Sequence, residues 1–490
     1  MTKSNYSYEG SFALLTDLYQ FTMAYGYWKS GVHEREAVFH MFYRKNPFQG
    51  GFAIACGLQT VIDFLERFSI DHSDIAYLAT LKGNDGQPLF EKDSLAYFKS
   101  LKFLCDVDAV PEGTGVFPHE PLIRLKGPLI QCQILETILL NSINFQTLIA
   151  TKAARVCYAT QGEDVLEFGL RRAQGMDGAL AASRAAYIGG CAATSNVLAG
   201  KIFGIPVKGT HAHSWVMCFD DEKEAFKKYA EAMPNNCVFL VDTYNTLEGV
   251  HKAVEVARRL RAGGHEMIGI RLDSGDLAYL SIEARKILDA GGFPQAKIFA
   301  TNDLDEKIIQ SLKEQGAQIN VWGVGTKLIT AYDQPALGGV YKLSAIKDEN
   351  GVWQNKIKLS EQSVKVSNPG ILQVRRYFDE TGNIADALYL EGTELSGGCT
   401  IVDPTDLTRR KRIGPDVKYE DLLIPIFRRG KRVYTTPSIH DIRVYAQDNL
   451  NRFHPGIKRF VHPHQYPVGL EKALFDLKTK LILKERGVSL

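Results

Sequence analysis

From about residue 160 to about residue 345, short apolar runs alternate with amphipathic stretches, and this rhythm constrains the fold more than any other feature of the chain. The runs are Asp164–Phe168, Pro206–Gly209, Cys237–Asp242, Met267–Leu272, Lys297–Thr301 and Ile319–Gly323, with a further short one near Cys191–Thr194. Brief apolar runs of this kind are expected for parallel strands covered on both faces. Helices fit between them. Thr246–Ala262 carries apolar residues at Leu247, Val250, Val254 and Leu260 and stops at Gly263-Gly264. Asp276–Ala290 closes on Gly291-Gly292, and Asp303, ahead of Asp305-Glu306, opens an amphipathic run to Gln315 and Gly316. Alternation at this spacing predicts an α/β fold with a parallel sheet. About seven such units would close a barrel, an irregular one, with a doubly wound open sheet as the alternative.

The flanks read differently. Phe12–Lys29 is expected to be helical, Glu36–Arg44 a strand, and Gly57–Phe68 another helix. Val107–Gln133, rich in Gly, Pro and short apolar runs, predicts a set of antiparallel strands. A long helix from about Ile134 to Thr160 then leads into the repeating region. Past Tyr341 the chain turns more polar and strand-rich. The basic run Arg409–Arg412 is expected as a solvated loop rather than a nucleic-acid patch.

Composition removes several classes of partner. A formal net charge of +2 over 490 residues implies neither nucleic acid nor an anionic membrane as a bulk partner. None of the eight cysteines forms a CxxC pair, so buried reduced thiols in a cytosolic protein are expected, not a disulfide frame or a zinc site. The N-terminus lacks the basic start and apolar run of a signal peptide, and no stretch approaches about 18 consecutive apolar residues. The expected location is the cytoplasm.

In barrels and open parallel sheets, chemistry gathers just past the carboxyl ends of the strands. Those positions hold Phe168-Gly169-Leu170-Arg171-Arg172, then Gly209-Thr210-His211-Ala212-His213-Ser214, then Asp242-Thr243. Arg271-Leu272-Asp273-Ser274-Gly275-Asp276, Thr301-Asn302-Asp303 and Gly323-Val324-Gly325-Thr326 complete the set. The collection suits a sugar phosphate. GVGT offers backbone amides and a hydroxyl to a phosphate, although such short runs often only make tight turns. Asp273 can hold ribose hydroxyls directly or through Mg²⁺, whereas Asp276 reads as a helix N-terminal residue. The two histidines of GTHAHS lack metal-pair spacing, and one of them is a candidate base or nucleophile.

Taken together these motifs resemble the nicotinate phosphoribosyltransferase family. TDLYQFTMAYGYW, FYRKNPFQGGFAIACG, EFGLRRAQGMDGALAASRAAYIGG, GTHAHSW, VDTYNT, RLDSGDLAYLS and GVGTKLITAYDQPALGGVYKL occur in the family's order, spanning roughly residues 12–375. The resemblance implies an irregular βα barrel with an N-terminal α/β sandwich completed by later segments, plus a C-terminal extension. The implied division is 1–140 for the sandwich, 141–345 for the barrel, and 346–490 for a segment partly completing the sandwich. It further implies synthesis of nicotinate mononucleotide from nicotinate and phosphoribosyl pyrophosphate, coupled to ATP and served by Mg²⁺, in a homodimer with shared active sites.

By resemblance, Tyr19 and Phe168 should sandwich the pyridine ring, one from each subunit, on flat aromatic faces. Both could equally be plain core. Thr210 and Arg271 resemble the nicotinate-binding residues, a guanidinium fork matching a carboxylate. Arg171 serves the ring site or the pyrophosphate, Asp273 the ribose, and Gly323, Gly325 and Thr326 the 5′-phosphate. Arg44, Lys342, Lys358 and Lys365 are candidates for the pyrophosphate and ATP phosphates. His213 matches the histidine that the family phosphorylates, with Ser214 expected to help orient it, and His211 takes no such role. Two rivals remain: a nicotinamide-specific enzyme, which would carry an aspartate where this chain has Ser195, and a non-catalytic pyridine-nucleotide sensor.

Overall fold

The computed structural model describes residues 11–362, 365–404 and 406–488. Six short parallel strands follow the alternating pattern: Asp164–Glu167, Ala193–Thr194, Val238–Leu240, Gly269–Leu272, Lys297–Ala300 and Val321–Val324. Neighbours in sequence pair, except Ala193–Thr194 with Val238–Leu240, and the last returns to pair with the first, Val321 opposite Asp164. Strands that follow one another in a cyclic order, first beside last and with a single gap between Ala193–Thr194 and Val238–Leu240, have the order of a barrel, whereas a doubly wound sheet reverses its order at a switch point. The ring is irregular at one place. The expected strand Pro206–Gly209 contributes only a single bridge, Val207 to Thr194, and Val207 makes no ladder with Val238–Leu240. There the side chain of His211 takes the place of a strand, its Nε2 accepting the Leu240 backbone N–H at 3.2 Å.

The helices between strands form where the pattern placed them. Thr246–Ala262 buries Val250, Val254 and Leu260 and ends at Gly263. Leu277–Ala290 is capped by Asp276, whose carboxylate accepts the Tyr279 N–H at 3.0 Å. Glu306–Glu314 starts later than Asp303 suggested. Its cap is Asp305, which accepts from the amides of Lys307 and Ile308 at 3.0 and 2.8 Å.

An antiparallel sheet of seven strands lies beside the barrel, in the order Trp353–Asn355, Gly339–Lys347, Glu36–Tyr43, Ile123–Pro128, Asp106–Ala109, Ile424–Arg428 and Lys431–Arg432. Segments from three distant parts of the chain therefore share one sheet, with Glu36–Tyr43 near its centre and almost entirely buried. Two expectations in this region need correction. The first helix begins at Leu18, because Phe12–Thr16 form turns ahead of the Asp17 cap position. The expected strands of Val107–Gln133 end at Pro128, and Leu129–Ile134 is a helix; six residues with apolar side chains at 129, 130, 132 and 134 fit either state by pattern alone.

The helix Glu136–Ala159 joins sheet to barrel and is buried on nearly all sides along its second half. A helix covered all round must neutralise any charge it carries. Lys152 and Arg155 meet that condition through Glu306 of the barrel: Lys152 Nζ lies 2.7 Å from Oε2, an ion pair without a well-directed hydrogen bond, and Arg155 Nε donates to Oε1 at 2.9 Å. Lys152 also reaches Asp333 at 2.8 Å.

The C-terminal part adds a mixed six-stranded sheet ordered Arg410–Ile413, Cys399–Val402, Val468–Glu471, Gly382–Leu390, Leu372–Asp379 and Lys418–Asp421. The basic run at Arg409–Arg412 is mostly the edge strand of this sheet and not a loop. Charge along an edge discourages further strands from adding. Arg376 and Asp386 form a fully buried ion pair at 2.5 Å inside it, and Arg376 Nη2 also donates to the Gly115 carbonyl at 2.8 Å, tying this sheet to the N-terminal part. No helix among the described residues is long and apolar enough to cross a membrane.

Candidate active site

The residues singled out by sequence fall into two groups. The first occupies the barrel rim at the carboxyl ends of the strands. Asp242 follows Val238–Leu240, and its buried Oδ2 accepts the Asp273 N–H and the Ser274 hydroxyl, each at 2.7 Å. These bonds shape the turn Asp273-Ser274-Gly275-Asp276, in which Gly275 takes φ +80°, a conformation costly for any residue with a Cβ. Asp273 Oδ1 accepts the hydroxyl proton of Thr301, so its carboxylate is held from the neighbouring strand end. The other oxygen, Oδ2, is 3.7 Å from His213 Nε2, and Asp242 Oδ1, buried without a hydrogen-bond partner, is 4.0 Å from the same atom.

His213 opens the short helix His213–Met217, and its side chain is 38% exposed. Its Nδ1 is 3.1 Å from the Thr243 hydroxyl. Thr243, not Ser214, is therefore the orienting neighbour: Ser214 lies on the same helix, while Thr243 comes across from the adjacent strand end. The two histidines of the motif differ in kind. His211 is 7% exposed, and burial, with smaller contributions from Arg271 and His213, lowers its pKa to about 4. As a neutral ring it can carry its proton on Nδ1, facing the Ala212 carbonyl at 3.3 Å, and accept the Leu240 amide on Nε2. Both nitrogens are then engaged in holding the barrel seam, while Nε2 of His213 faces open space and two carboxylates.

Arg271 projects from Gly269–Leu272, with Nη1 donating to the Thr210 hydroxyl at 2.5 Å and Nε buried without a partner. Burial pulls its pKa below the ordinary guanidinium range, opposed by Asp273 and Asp242 and reinforced by nearby Arg171. Arg171 itself is exposed, on the turn Leu170–Arg172. A guanidinium with an unfilled donor beside a hydroxyl is a ready site for a carboxylate.

Phe168 is seated by neighbours that sequence reading passed over. The Phe168 N–H donates to the Val324 carbonyl at 2.8 Å. Glu167, fully buried, accepts from the Gly169 amide, from Ser183 at 3.0 Å and from Thr194 at 2.6 Å, fixing the turn on which the ring stands. Gly323 lies inside its strand, and a Cβ there would come within 2.5 Å of Thr301 Cγ2 and 2.8 Å of Phe168 Cδ2. Its missing side chain thus makes room for the Phe168 ring. Gly325 and Thr326 sit at the strand end, where Thr326 begins the short helix Thr326–Ile329 and the first amides have no intrahelical partner. The adjoining Lys327 is held at 2.7 Å by Asp305. Ser195 follows Ala193–Thr194 on the same rim, its N–H bonded to the Glu167 carbonyl at 2.9 Å.

The second group lies on the antiparallel sheet. Burial lowers the pKa of Lys342, with Arg44 and Lys358 adding repulsion against the pull of Glu136. Arg44 Nε is buried and unpartnered. Two further members carry no sequence signal. Lys478, on the C-terminal helix Lys472–Glu485, donates to Asn368 at 2.8 Å, and burial lowers its pKa to about 8. His119 falls to about 4 through burial and the charges of Lys478 and Arg44. Cations gathered closely enough that Arg44 bears on both Lys342 and His119 form a site for a polyanion. Lys365 stands exposed, and its charge does not enter the shifts of Lys342 and His119. Tyr19, 47% exposed, donates to Glu136 at 3.2 Å on the same side of the molecule. Among the described residues, no hydrogen bond, ion pair or ring contact joins Tyr19 to Phe168 within one chain.

Comparison with known proteins gives a consistent result over the whole length. Residues 14–144 match the nicotinate phosphoribosyltransferase (NAPRTase) N-terminal domain, 164–367 the nicotinate phosphoribosyltransferase (NAPRTase) family, and 372–478 the nicotinate phosphoribosyltransferase C-terminal domain. The Bacillus subtilis nicotinate phosphoribosyltransferase is 46% identical over 479 residues, covering 97% of this chain and 96% of that protein. The human protein of the same name is 35% identical, covering 96% of each. A crystal structure of human nicotinic acid phosphoribosyltransferase superposes with a TM-score of 0.82 at 33% identity, over 95% of this chain and 99% of that one. Nicotinate-nucleotide pyrophosphorylase from Pyrococcus furiosus shares the fold, with a TM-score of 0.71 at 21% identity over 92% of this chain and 99% of that one. With three successive profiles, a 46% identical relative and a superposable structure in agreement, the chain belongs to the nicotinate phosphoribosyltransferase family.

Proposed function

We propose that this enzyme joins nicotinate to phosphoribosyl pyrophosphate, giving nicotinate mononucleotide and pyrophosphate, the first step of NAD salvage from nicotinate, with ATP hydrolysis coupled through His213. The observation that carries the substrate assignment is Arg271, a buried guanidinium with an unfilled Nε on the rim that also bears Phe168, Asp273 and Thr326. Its fork takes the nicotinate carboxylate, with Thr210 beside it and Arg171 at the entrance. Ser195, on the same rim, leaves that carboxylate unopposed, which speaks against a nicotinamide-specific enzyme.

In this reading the pyridine nitrogen attacks C1 of the sugar as the C1–oxygen bond to pyrophosphate breaks, and the bonding pair leaves with pyrophosphate. The protein holds the ring nitrogen near C1 and stabilises the leaving charge. Phe168 supports one face of the ring. Asp273 holds the ribose, and the first amides after Gly325, with the Thr326 hydroxyl, hold the 5′-phosphate; Gly323 shapes the ring seat. Mg²⁺ would neutralise phosphate charge when bound, and Asp273 and Asp242 would be the residues to hold it. The described residues offer no group of three His, Cys, Asp or Glu able to hold a metal. An ion here would be bound through one or two carboxylates and substrate phosphates.

His213 is the acceptor of the phosphoryl group from ATP. With Nδ1 directed at Thr243, Nε2 is free to attack, and the γ-phosphorus–oxygen bond breaks toward ADP. Arg44, Lys342 and Lys358, joined by Lys478 and His119, receive pyrophosphate or ATP phosphates, with Lys365 as an outer contributor. The exposed Tyr19 supplies the second ring face to a partner subunit in a homodimer. The chain divides at 140 and 345; the first joint falls within Glu136–Ala159 and the second within Gly339–Lys347, so both are continuous elements. The cysteines are all free thiols, which supports a cytoplasmic location.

The test is incubation with phosphoribosyl pyrophosphate and Mg²⁺, offering nicotinate, nicotinamide or quinolinate, each with and without labelled ATP. Nicotinate should be consumed, and ATP should stimulate the reaction. A sensor would turn over none of the three. The enzyme should become labelled in an acid-labile, base-stable form, and His213→Ala should abolish the label and the stimulation while His211→Ala retains the label in whatever protein folds. Label that persists in His213→Ala removes the phosphohistidine assignment. For the shared site, mixing Tyr19→Ala with Asp273→Ala should restore up to about half of the sites if subunits exchange randomly. Continued inactivity after proven exchange would show a site built from one chain.

A further inference from the structure

At the end of the barrel opposite the candidate active site lies a cavity of about 840 Å³. Its floor is the last turn of Glu136–Ala159 and the Gln161-Gly162 turn, and one wall is Gly189-Gly190. Those two turns lead into the N-terminal ends of Asp164–Glu167 and Ala193–Thr194, whereas Phe168 and Ser195 follow the carboxyl ends of the same strands. The facing wall is the last turn of the helix Ile439–Asn451, and Lys458–Val461 folds across the top. The C-terminal segment thus encloses a space that the barrel alone would leave open to solvent.

The charge in this space is unbalanced. Lys458 lines it and is only 6% exposed. Its Nζ donates to the Leu450 carbonyl at 3.2 Å and sits 5.4 Å from the Tyr158 ring centroid. An ammonium has three protons to donate, and among the described residues no carboxylate forms an ion pair with this one. Burial alone accounts for the lowering of its pKa. Buried charges are ordinarily paired, so an ammonium left without a counter-ion beside a cavity calls for an anion. Arg459 follows at the rim, exposed. The rings of Tyr158 and Phe460 stand edge to face at 6.1 Å, and Tyr158 is 40% exposed. The one acid in the lining, Asp448, is suited to hydroxyl groups of a ligand and repels its phosphate, which orients it toward the lysine.

We propose that this cavity is a second binding site, for a phosphorylated metabolite of mononucleotide size, with its phosphate on Lys458 and Arg459 and a flat ring against Tyr158 and Phe460. The volume lies within the range of small-molecule sites, roughly 300–1,000 Å³. The site requires nothing of the barrel rim, so it stands or falls apart from the roles assigned there.

The experiment is calorimetric titration of AMP, and of inorganic phosphate, into full-length protein carrying Asp273→Ala and Thr326→Ala to weaken the rim. AMP should still bind, phosphate should compete with it, and adding Lys458→Met should weaken AMP at least tenfold. Arg459→Ser, an exposed change that leaves the buried packing alone, should weaken it in the same direction and stands in if Lys458→Met does not fold. Absence of AMP binding to the rim variant, or an affinity indifferent to both Lys458→Met and Arg459→Ser, overturns the proposal. Binding of AMP that phosphate fails to displace overturns the placement of the phosphate on these cations.

Discussion

Replacing Arg271 by methionine should lower kcat/KM for nicotinate by about two to three orders of magnitude, the equivalent of losing a buried charged pair at roughly 3–5 kcal/mol. Methionine fills a similar volume, so the change removes charge and donors more than packing. Thr210 loses the guanidinium that now donates to its hydroxyl at 2.5 Å, but it keeps its place on the rim. Nicotinamide offers no carboxylate to the fork, so its rate, low in the parent, should change much less. The selectivity between acid and amide, not the absolute rate alone, is therefore the quantity to measure. Equal losses for both substrates would show that Arg271 acts on the sugar phosphate or on Asp273, and that the carboxylate is read elsewhere, with Arg171 the next residue to test.

The second large effect concerns stability. Glu306 is almost fully buried and answers two cations of the long helix, Lys152 and Arg155, themselves buried. Glu306→Gln keeps the shape and leaves both cations facing a neutral amide. Breaking a buried pair from one side typically costs about 3–5 kcal/mol, because the remaining charge has lost its counter-ion without regaining water. Asp333 continues to serve Lys152 at 2.8 Å, so the lower end of that range is expected. The urea midpoint should fall with little change in slope. The substitution should also raise the KM for phosphoribosyl pyrophosphate, since Glu306 adjoins Asp305, the residue that holds Lys327 next to Thr326. A midpoint shift worth under about 1 kcal/mol would mean that water or Asp333 already balances the cations.

The sequence made the barrel legible because its strands are buried on both faces and its helices end at glycines, so each unit announces both its period and its stop. Closure was not legible. Whether Val321–Val324 returns to Asp164–Glu167 depends on pairing across more than a hundred and fifty residues, and no local pattern reports it. The segment 206–209 looked like the other strands in composition, yet only Val207 pairs, because the chain leaves the sheet toward His211 and the helix at His213. The rim residues that bear recognisable chemistry were found from strand ends and motifs. The roles of those that hold them were not: Asp242 stood among the strand-end residues but acts through a buried oxygen on the next turn, and Glu167 supports Phe168 from beneath, and neither arrangement leaves a spacing to read. Lys478 was out of reach for another reason, since nothing near it in the chain marks it and only the folding of the C-terminal helix brings it to Asn368.

The seam in the barrel wall, closed by one imidazole, has a bearing on how the protein tolerates change. Between Val207 and Val238 the chain is threaded through no ladder, so residues inserted or removed there shift no register and expose no row of unpaired amides. Everywhere else on the circumference a one-residue change in a strand would turn its side chains to the wrong face. The stretch is thus a natural splice point, where length can vary in laboratory libraries while the hoop of strands keeps its alignment. Its fixed posts are Thr210, His211 and His213, held to Arg271, Leu240 and Thr243, and a library that spares them and the residues flanking His213 should return folded proteins more often than one directed at the strands.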